Sequence, residues 1–389
     1  MKRRLLGKIS GLALRVHKKL DQVLRISPNF KPYFLSVRPF PIEGIDRKKI
    51  THLIGNFIVG GSSQLVVDLI EKTSDKYSHQ IIVPRKPDPL PYQPVDIHEF
   101  TINQMAELYD HLKREAPEIV HMHYFSRDCE KFESIAIWYQ TVSRICDELN
   151  LRVIQNVNVP TTPLRGKSIV HNVFVSHYVR REFDRSEIES SVIYPGSDFS
   201  HFGNSKPEDL PDKTIGMVYR LESDKLRAES IEVFISAVKM NPRINVYIVG
   251  GGSLLDLYKQ RVAEEGLSKN FSFTGYVAYA NLPQHYRMMS LFVAPVFDES
   301  FGQVTPFAMS MGLCVAGYDT GALSEILGND ATLVKTGDAT GLAEKIVDLV
   351  ASADKRRDLG ERNTERAISM FSVEKMIGDY RQLYERYIK

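Results

Sequence analysis

The chain has 389 residues, of which 43% are hydrophobic, 25% charged and 10% aromatic. That length suits two domains with full cores, and the composition excludes a disordered, collagenous or mucin-like chain. A net charge of +2 excludes a strongly basic nucleic-acid binder, so no nucleic-acid partner is expected. Three dispersed cysteines, Cys129, Cys146 and Cys314, cannot build a disulfide framework or a cysteine-rich zinc site; they suit a reducing compartment, and a cytoplasmic protein is expected.

The N-terminus differs from the rest. Residues 1–31 hold nine Lys or Arg against one acidic residue, Asp21. Leu5, Ile9, Leu12, Val16, Leu20 and Val23 recur at helical spacing, which predicts a basic amphipathic helix. Such a helix can lie on an anionic membrane surface or pack on the next domain with its charges in water. Lys8 interrupts the apolar stretch, so no cleaved signal is expected. No apolar run of about 18 residues occurs, and no membrane-spanning helix is expected.

From residue 50 short apolar runs alternate with amphipathic segments. Strands are predicted at 51–59, 80–83, 119–123, 152–157, 169–175 and 192–194, and helices at 64–72, 105–114 and 135–149. Five prolines between Pro84 and Pro94 mark a loop. Polar residues 195–213 mark a linker. Beyond it, strands are predicted at 214–219, 244–249, 271–274, 291–294, 313–316 and 331–334. Helices are predicted at 228–239, 254–265, 282–288, from about Val304, at 342–351, and in two or three segments after Lys355. The alternation implies α/β architecture: two doubly wound, Rossmann-like domains facing each other across a cleft, with ligands outside the carboxyl ends of the strands. The expected divisions are an arm (1–48), a Rossmann-like domain (49–200), a second Rossmann-like domain (201–372) and a closing helix (373–389).

Several short motifs fall at strand ends. Gly60-Gly61-Ser62-Ser63 lies between the first strand and its helix, and Gly250-Gly251-Gly252-Ser253 holds the equivalent place in the second half. Each is either a close-approach site for an anion at a helix N-terminus or simply a tight turn. Neither is GxGxxG or a P-loop. Arg220 and Lys225 follow the first strand of the second half, and a guanidinium with an ammonium suits a diphosphate. His121 and His123, two apart on a strand, point the same way. They admit a metal, a hydrogen bond to a substrate hydroxyl, or a structural role. Glu299, in Asp298-Glu299-Ser300-Phe301-Gly302-Gln303, either accepts sugar hydroxyls or caps a helix. Thr320-Gly321-Ala322-Leu323-Ser324-Glu325 forms another strand–turn–helix junction. No Asp-x-Asp pair occurs, so no metal is expected and the charge of a leaving diphosphate falls to cations and helix ends.

Taken in order, these segments resemble glycosyltransferase family 4, retaining nucleotide-sugar enzymes of the GT-B fold, over about residues 50–370. The carriers are Tyr219-Arg220-Leu221 with Lys225-Leu226, the 250–253 turn, Phe273-Thr274-Gly275, Pro295 with Glu299-Ser300-Phe301-Gly302, the 320–325 turn, Gly60-Gly61 and His121-Met122-His123. The resemblance implies that residues 49–200 bind the acceptor, that residues 201–372 bind the nucleotide sugar and that the helix at 373–389 crosses back to the first domain. It implies that Arg220 and Lys225 bind the donor diphosphate, so that their loss costs rate far more than stability, and that Glu299 faces the donor sugar. Gly60, Gly61, Gly250, Gly251, Ser300, Phe301, Gly302, Gln303 and Val304 would contribute to nucleotide-sugar binding, and His123 would reach the reaction centre. The family's second Glu, which holds ribose, is Phe307 here. The expected activity is hexosyl or deoxyhexosyl transfer, with retention, to a glycan or lipid-linked hydroxyl in cell-envelope polysaccharide synthesis, by a cytoplasmic enzyme peripheral to the membrane. The alternatives are a non-catalytic glycan- or nucleotide-binding subunit and a sugar-nucleotide epimerase.

Overall fold

The computed structural model describes residues 47–58, 60–90, 92, 96–125, 133–202, 213–328 and 331–388. The basic arm, Cys129 and most of the polar linker lie outside the described residues. Two compact units result. The first runs to Val175 and takes in Val179–Ile193 and Ile377 onward; the second comprises Ser176–Tyr178 and Tyr194–Met376.

The first unit is built on β1 (Lys48–Ile54), α1 (Gly61–Thr73), β2 (Tyr77–Val83), β3 (Ile97–Glu99), α2 (Met105–Glu115), β4 (Ile119–Tyr124), α3 (Glu133–Glu148), β5 (Val153–Val157), β6 (Ile169–Phe174), α4 (His177–Phe183) and β7 (Ser190–Val192). Among the described residues the strands form one sheet in the order β3-β2-β1-β4-β5-β6-β7, and neighbours run parallel. β4, at its centre, is buried at every position, as a strand covered on both faces must be. Leu108 and Leu112 of α2 and Trp138, Tyr139 and Val142 of α3 pack on one face against Val120, Met122 and Val153. Val66 and Val67 of α1 pack on the other against Ile54, Ile81 and Val83.

The sequence predicts a first strand running to Val59, but β1 ends at Ile54. Beyond it the Gly55 N–H leaves the ladder and donates to the Tyr139 hydroxyl at 2.6 Å, which itself donates to the His123 carbonyl at 2.5 Å. The short edge strand β3 and the seven-residue α4 are too brief for hydrophobic periodicity to reveal.

The second unit contains β8 (Thr214–Val218), α5 (Glu232–Met240), β9 (Asn245–Val249), α6 (Leu255–Glu264), β10 (Phe271–Phe273), α7 (Leu282–Tyr286), β11 (Leu291–Ala294), α8 (Val304–Ser310), β12 (Cys314–Asp319), α9 (Leu323–Leu327), β13 (Leu333–Lys335), α10 (Ala339–Ala351) and α11 (Ala353–Phe371). Its sheet has the order β10-β9-β8-β11-β12-β13, again with parallel neighbours. Strand order reverses between β1 and β4 in one unit and between β8 and β11 in the other. Those are the points where a doubly wound sheet leaves room for a ligand. The closing helix α12 (Val373–Tyr387) contributes its residues from Ile377 to the first unit. Among the described residues no helix is long and apolar enough to cross a membrane. Cys146 and Cys314 are buried free thiols, and burial pushes both up to about 12.

In the second unit α11 lies against the backbone leading into β12. The Asn363 amide donates to the Leu313 carbonyl at 2.9 Å, and a Cβ at Gly360 would meet the Gly312 carbonyl oxygen at 2.0 Å. Overpacking of this kind costs about 1–3 kcal/mol. Gly360→Ala is therefore expected to lower the unfolding free energy by that amount, seen as a lower urea midpoint at unchanged m, and an unchanged midpoint would show that α11 does not approach so closely.

Candidate active site

In the second unit the loop after β11 turns back to place Glu299, fully buried, beside the loop after β8. Its Oε1 accepts a 2.6 Å hydrogen bond from Lys225 Nζ, and its Oε2 makes none. The backbone around it is tightly specified. The Glu299 carbonyl accepts from Ala322 N–H at 2.8 Å, and the Lys225 carbonyl accepts from Phe297 N–H at 2.8 Å. Gly302 has φ +70°, and a Cβ there would lie 2.2 Å from the Glu299 carboxylate; Gly321, at φ +56°, would collide with the Glu299 carbonyl at 2.0 Å. Only glycine satisfies both conditions. Burial, with the charge of Glu299 nearby, pushes the Tyr219 phenol up. Arg220 lies outside this buried group: its side chain is 66% exposed and pairs with Asp224 at 2.7 Å.

The remaining predicted residues of this unit divide clearly. Ser300 is half-buried. Phe301 is a core side chain, packed on Tyr194 and Phe371. Gln303 donates to the Gly196 carbonyl at 3.3 Å, and the carbonyl of Val304, first residue of α8, accepts from the Tyr286 hydroxyl at 3.0 Å. Phe307 stacks on Phe202 at 4.2 Å with Tyr279 edge-on, so an aromatic cluster fills the place where the resemblance implies an acidic ribose ligand. In the 250–253 turn, Cβ atoms on Gly250 and Gly252 would strike the carbonyls of Tyr219 and Leu221. Ser253 donates through N–H and hydroxyl to the Glu222 carboxylate at 3.2 and 2.6 Å. The glycines thus serve close backbone packing, and the turn already faces an anion of the chain. A Cβ on Gly251 would meet the Tyr276 ring. Glu325 accepts from the N–H groups of His177 and Tyr178 and from the Tyr194 hydroxyl at 2.7–2.9 Å, all within the second unit.

In the first unit Gly60 stands before α1 with no side-chain cap and Gly61 begins the helix; the first intrahelical bond runs from Gln64 N–H to the Gly60 carbonyl at 2.9 Å. His123 lies one residue from the end of β4, opposite Ile54 at the end of β1. The same sheet face carries His121, His52 and His79. Three of these, His52, His121 and His123, could bring one nitrogen each within 4.8 Å of one another, a spacing that invites a metal. Hydrogen bonds already hold five of their six ring nitrogens: His123 Nε2 to His52 Nδ1, His52 Nε2 to His79 Nδ1, and His121 to the Tyr384 hydroxyl and Asn156 Oδ1. His123 Nδ1 alone has no partner. These bonds give the trio a tautomer network and leave it short of the three open donor atoms that a metal needs. Burial is the first cause in every case, holding His52 and His123 well below the ordinary imidazole range, His79 at about 3 and His121 at about 4.

No motif in the sequence marks His52, His79 or Thr73. Thr51 precedes His52, Ser78 and Gln80 flank His79, and Thr73 closes α1, so none of the three stands out from its polar neighbours in the sequence.

Residues 199–366 match the model described as glycosyl transferases group 1. N-acetyl-alpha-D-glucosaminyl L-malate synthase of Bacillus anthracis is 23% identical over 346 residues, covering 75% of this chain and 84% of that protein. The lipopolysaccharide core biosynthesis mannosyltransferase LpsB of Rhizobium meliloti is 38% identical over 172 residues, 43% of this chain and 47% of LpsB. Among solved structures, Anabaena Alr3699/HepE in complex with UDP superposes with a TM-score of 0.72 at 16% identity, covering 87% of this chain and all of that one.

The buried neutral histidines tie stability to pH. Their folded values lie below the unfolded value of about 6.5, so the unfolded chain binds more protons between the two. Stability is complete above about pH 6.5 and falls as pH drops toward about 4 for His121 and about 3 for His79, at ~1.4 kcal/mol per pH unit for each histidine. Urea unfolding is expected to lose ~2 kcal/mol for each of His121 and His79 between about pH 6.5 and 5, above the main carboxylate range. A flat profile over that window would show that these imidazoles are charged or solvated.

Proposed function

We propose that the chain is a glycosyltransferase of the GT-B fold that moves a hexosyl or deoxyhexosyl group, with retention, from a nucleotide diphosphate sugar to a hydroxyl of a glycan or lipid-linked acceptor in envelope polysaccharide synthesis. The observation that carries this reading is Glu299: a fully buried carboxylate with one oxygen on Lys225 and the other open. A buried acceptor without a donor costs about 1–3 kcal/mol, and a sugar hydroxyl is a donor of the right kind. The Lys225 ammonium has two further N–H groups for a phosphate oxygen. Arg220 is held only by a surface pair worth about 0–1 kcal/mol, so it can turn to a diphosphate and bind it through two N–H groups. The names of relatives agree in kind: LpsB is a mannosyltransferase of lipopolysaccharide core biosynthesis, and HepE is described with UDP and with UDP-glucose.

In the proposed reaction the acceptor oxygen bonds to the anomeric carbon on the face the diphosphate leaves. The bond from that carbon to the phosphate oxygen breaks, and the diphosphate takes the acceptor proton. The cations Arg220 and Lys225 meet the developing negative charge, and no metal is assigned to that task. The basic residues of the 1–30 segment, at about 1 kcal/mol each near an anionic surface, would hold a cytoplasmic enzyme at the inner face of the membrane.

The two cations should behave differently when removed. Arg220→Ala is expected to lower kcat by about 100-fold, the loss typical of one transition-state charge donor, with unfolding free energy unchanged within about 0.5 kcal/mol. Lys225→Ala should lower turnover and also cost up to ~3 kcal/mol of stability, because it leaves the Glu299 carboxylate buried without its partner. Calorimetry with UDP, GDP, ADP and TDP, with and without Mg²⁺, should show one diphosphate binding and that binding weakened by Arg220→Ala. Normal turnover in Arg220→Ala, or no binding of any diphosphate by folded protein, would reject the assignment. Deleting residues 1–30 should release the protein from anionic vesicles while sugar transfer to a soluble acceptor persists; retained vesicle binding would reject the membrane role.

A further inference from the structure

The first unit holds a hydrogen-bonded row whose direction can be fixed from one end. At that end, in the last turn of α1, the Thr73 hydroxyl lies 2.6 Å from the Leu69 carbonyl oxygen. A carbonyl only accepts, so the single hydroxyl proton of Thr73 is committed to it. The Thr73 oxygen must then accept from His79 Nε2, 2.9 Å away. His79 is neutral, with burial holding it at about 3, so its Nδ1 is bare and accepts from His52 Nε2 at 3.0 Å. His52 is neutral by the same cause; its Nδ1 is bare and accepts from His123 Nε2 at 3.1 Å. His123, also neutral, is left with an unprotonated Nδ1, the one ring nitrogen of the row with no partner. The reverse arrangement would oppose two oxygen lone pairs at Thr73 and Leu69. It would also leave a buried N–H donor without an acceptor at His123, which is rarer and costlier than an unfilled acceptor.

We propose that Thr73, His79 and His52 form a tautomer lock that holds His123 Nδ1 as a bare acceptor for a hydroxyl of a bound sugar substrate. This rests on the sugar-transfer reading above for the ligand, and on the hydrogen bonds alone for the lock. The row ends on an amide carbonyl, which takes up no proton at neutral pH. It therefore fixes which nitrogen is open and does not carry a proton away. Thr73, His79 and His52 are positioning residues: they act on a hydroxyl only through His123. His121 stands outside the row, with Nε2 donating to Asn156 Oδ1 at 3.2 Å and Nδ1 accepting from the Tyr384 hydroxyl at 2.7 Å. That second set of bonds leaves His121 satisfied and assigns the open nitrogen to His123.

The test is a methyl-for-hydroxyl exchange three hydrogen bonds away from His123. In full-length protein carrying 15N-histidine, nitrogen shifts distinguish the two neutral tautomers, and His→Gln variants assign the signals. Wild type is expected to show His123, His52 and His79 each protonated at Nε2. Thr73→Val removes the terminal acceptor with little change of shape. It should move His123 toward the Nδ1-protonated form and lower kcat for sugar transfer by about tenfold, the scale of one hydrogen bond. Thr73→Ser should restore both. His79→Gln, whose amide can donate to Thr73 and accept from His52, should keep the wild-type tautomer at His123 and guards against misfolding of the valine variant. A His123 protonated at Nδ1 in wild type, or one unmoved in folded Thr73→Val, overturns the lock. A flipped tautomer with unchanged kcat overturns the substrate-facing role while the transferase reading stands. Wild-type protein that transfers no sugar overturns that reading and the sugar-facing half of this inference, while the nitrogen shifts decide the lock by themselves.

Discussion

Two neighbouring parallel strands must be joined by a crossover that returns the chain to the same edge of the sheet, so every carboxyl end of such a sheet faces one way. Where the winding reverses, two adjacent strands send their following segments to opposite faces, and the edge between them stays uncovered. In the first unit that place lies between β1 and β4, which end at Ile54 and Tyr124. It gathers Gly60, Gly61 and His123. In the second it lies between β8 and β11, and the loops that follow them carry Lys225 and Glu299. The chemistry of each unit is thus located by connectivity before any side chain is considered.

Burial then decides what those side chains can do. Each unit takes a charged or titratable group out of water and satisfies almost all of it. Glu299 is closed on one side by Lys225 and framed by Gly302 and Gly321. His123 is closed on one side by a row of neutral imidazoles. Among the buried polar atoms left without a hydrogen bond are His123 Nδ1 in the first unit and Glu299 Oε2 in the second. Native proteins leave few such atoms unmatched. Both are acceptors, and a polyhydroxylated substrate is a collection of donors. The histidine row also shows why proximity alone is a weak argument for a metal: three imidazoles lie close together, yet five of their six ring nitrogens are already spent on one another, on His79, on Tyr384 and on Asn156.

The departures from the family pattern are absorbed by packing. Phe307 joins Phe202 and Tyr279 in an aromatic cluster, which puts an apolar wall where the resemblance implies a carboxylate. Tyr219 is accommodated because Gly250 lets the neighbouring turn run against its carbonyl oxygen. Arg220 and Lys225, equivalent as charges in a sequence, differ in what they hold up: one lies in water beside Asp224, the other supports a buried carboxylate.

Much of this was legible in the order of residues. Apolar runs at strand spacing and amphipathic segments at helical spacing reflect local geometry that each element carries with it, so the α/β alternation, the positions of most strands, and the strand-end placing of Gly60, Lys225 and Glu299 could be read directly. Elements of three to seven residues, such as β3 and α4, are too short to carry a period. The partners of buried polar atoms were hidden for a different reason. A hydrogen bond depends on distance in space, and Thr73, His79, His52 and His123 come from one helix and three strands of one unit. Their types are visible in the sequence, but the direction of their protons follows only from the 2.6 Å contact between Thr73 and the Leu69 carbonyl and from the register that sets Ile54 beside His123. The sequence by itself determined which groups could do chemistry. Tertiary structure decided which of their atoms are left open to do it, because satisfying a buried polar group is a property of its surroundings.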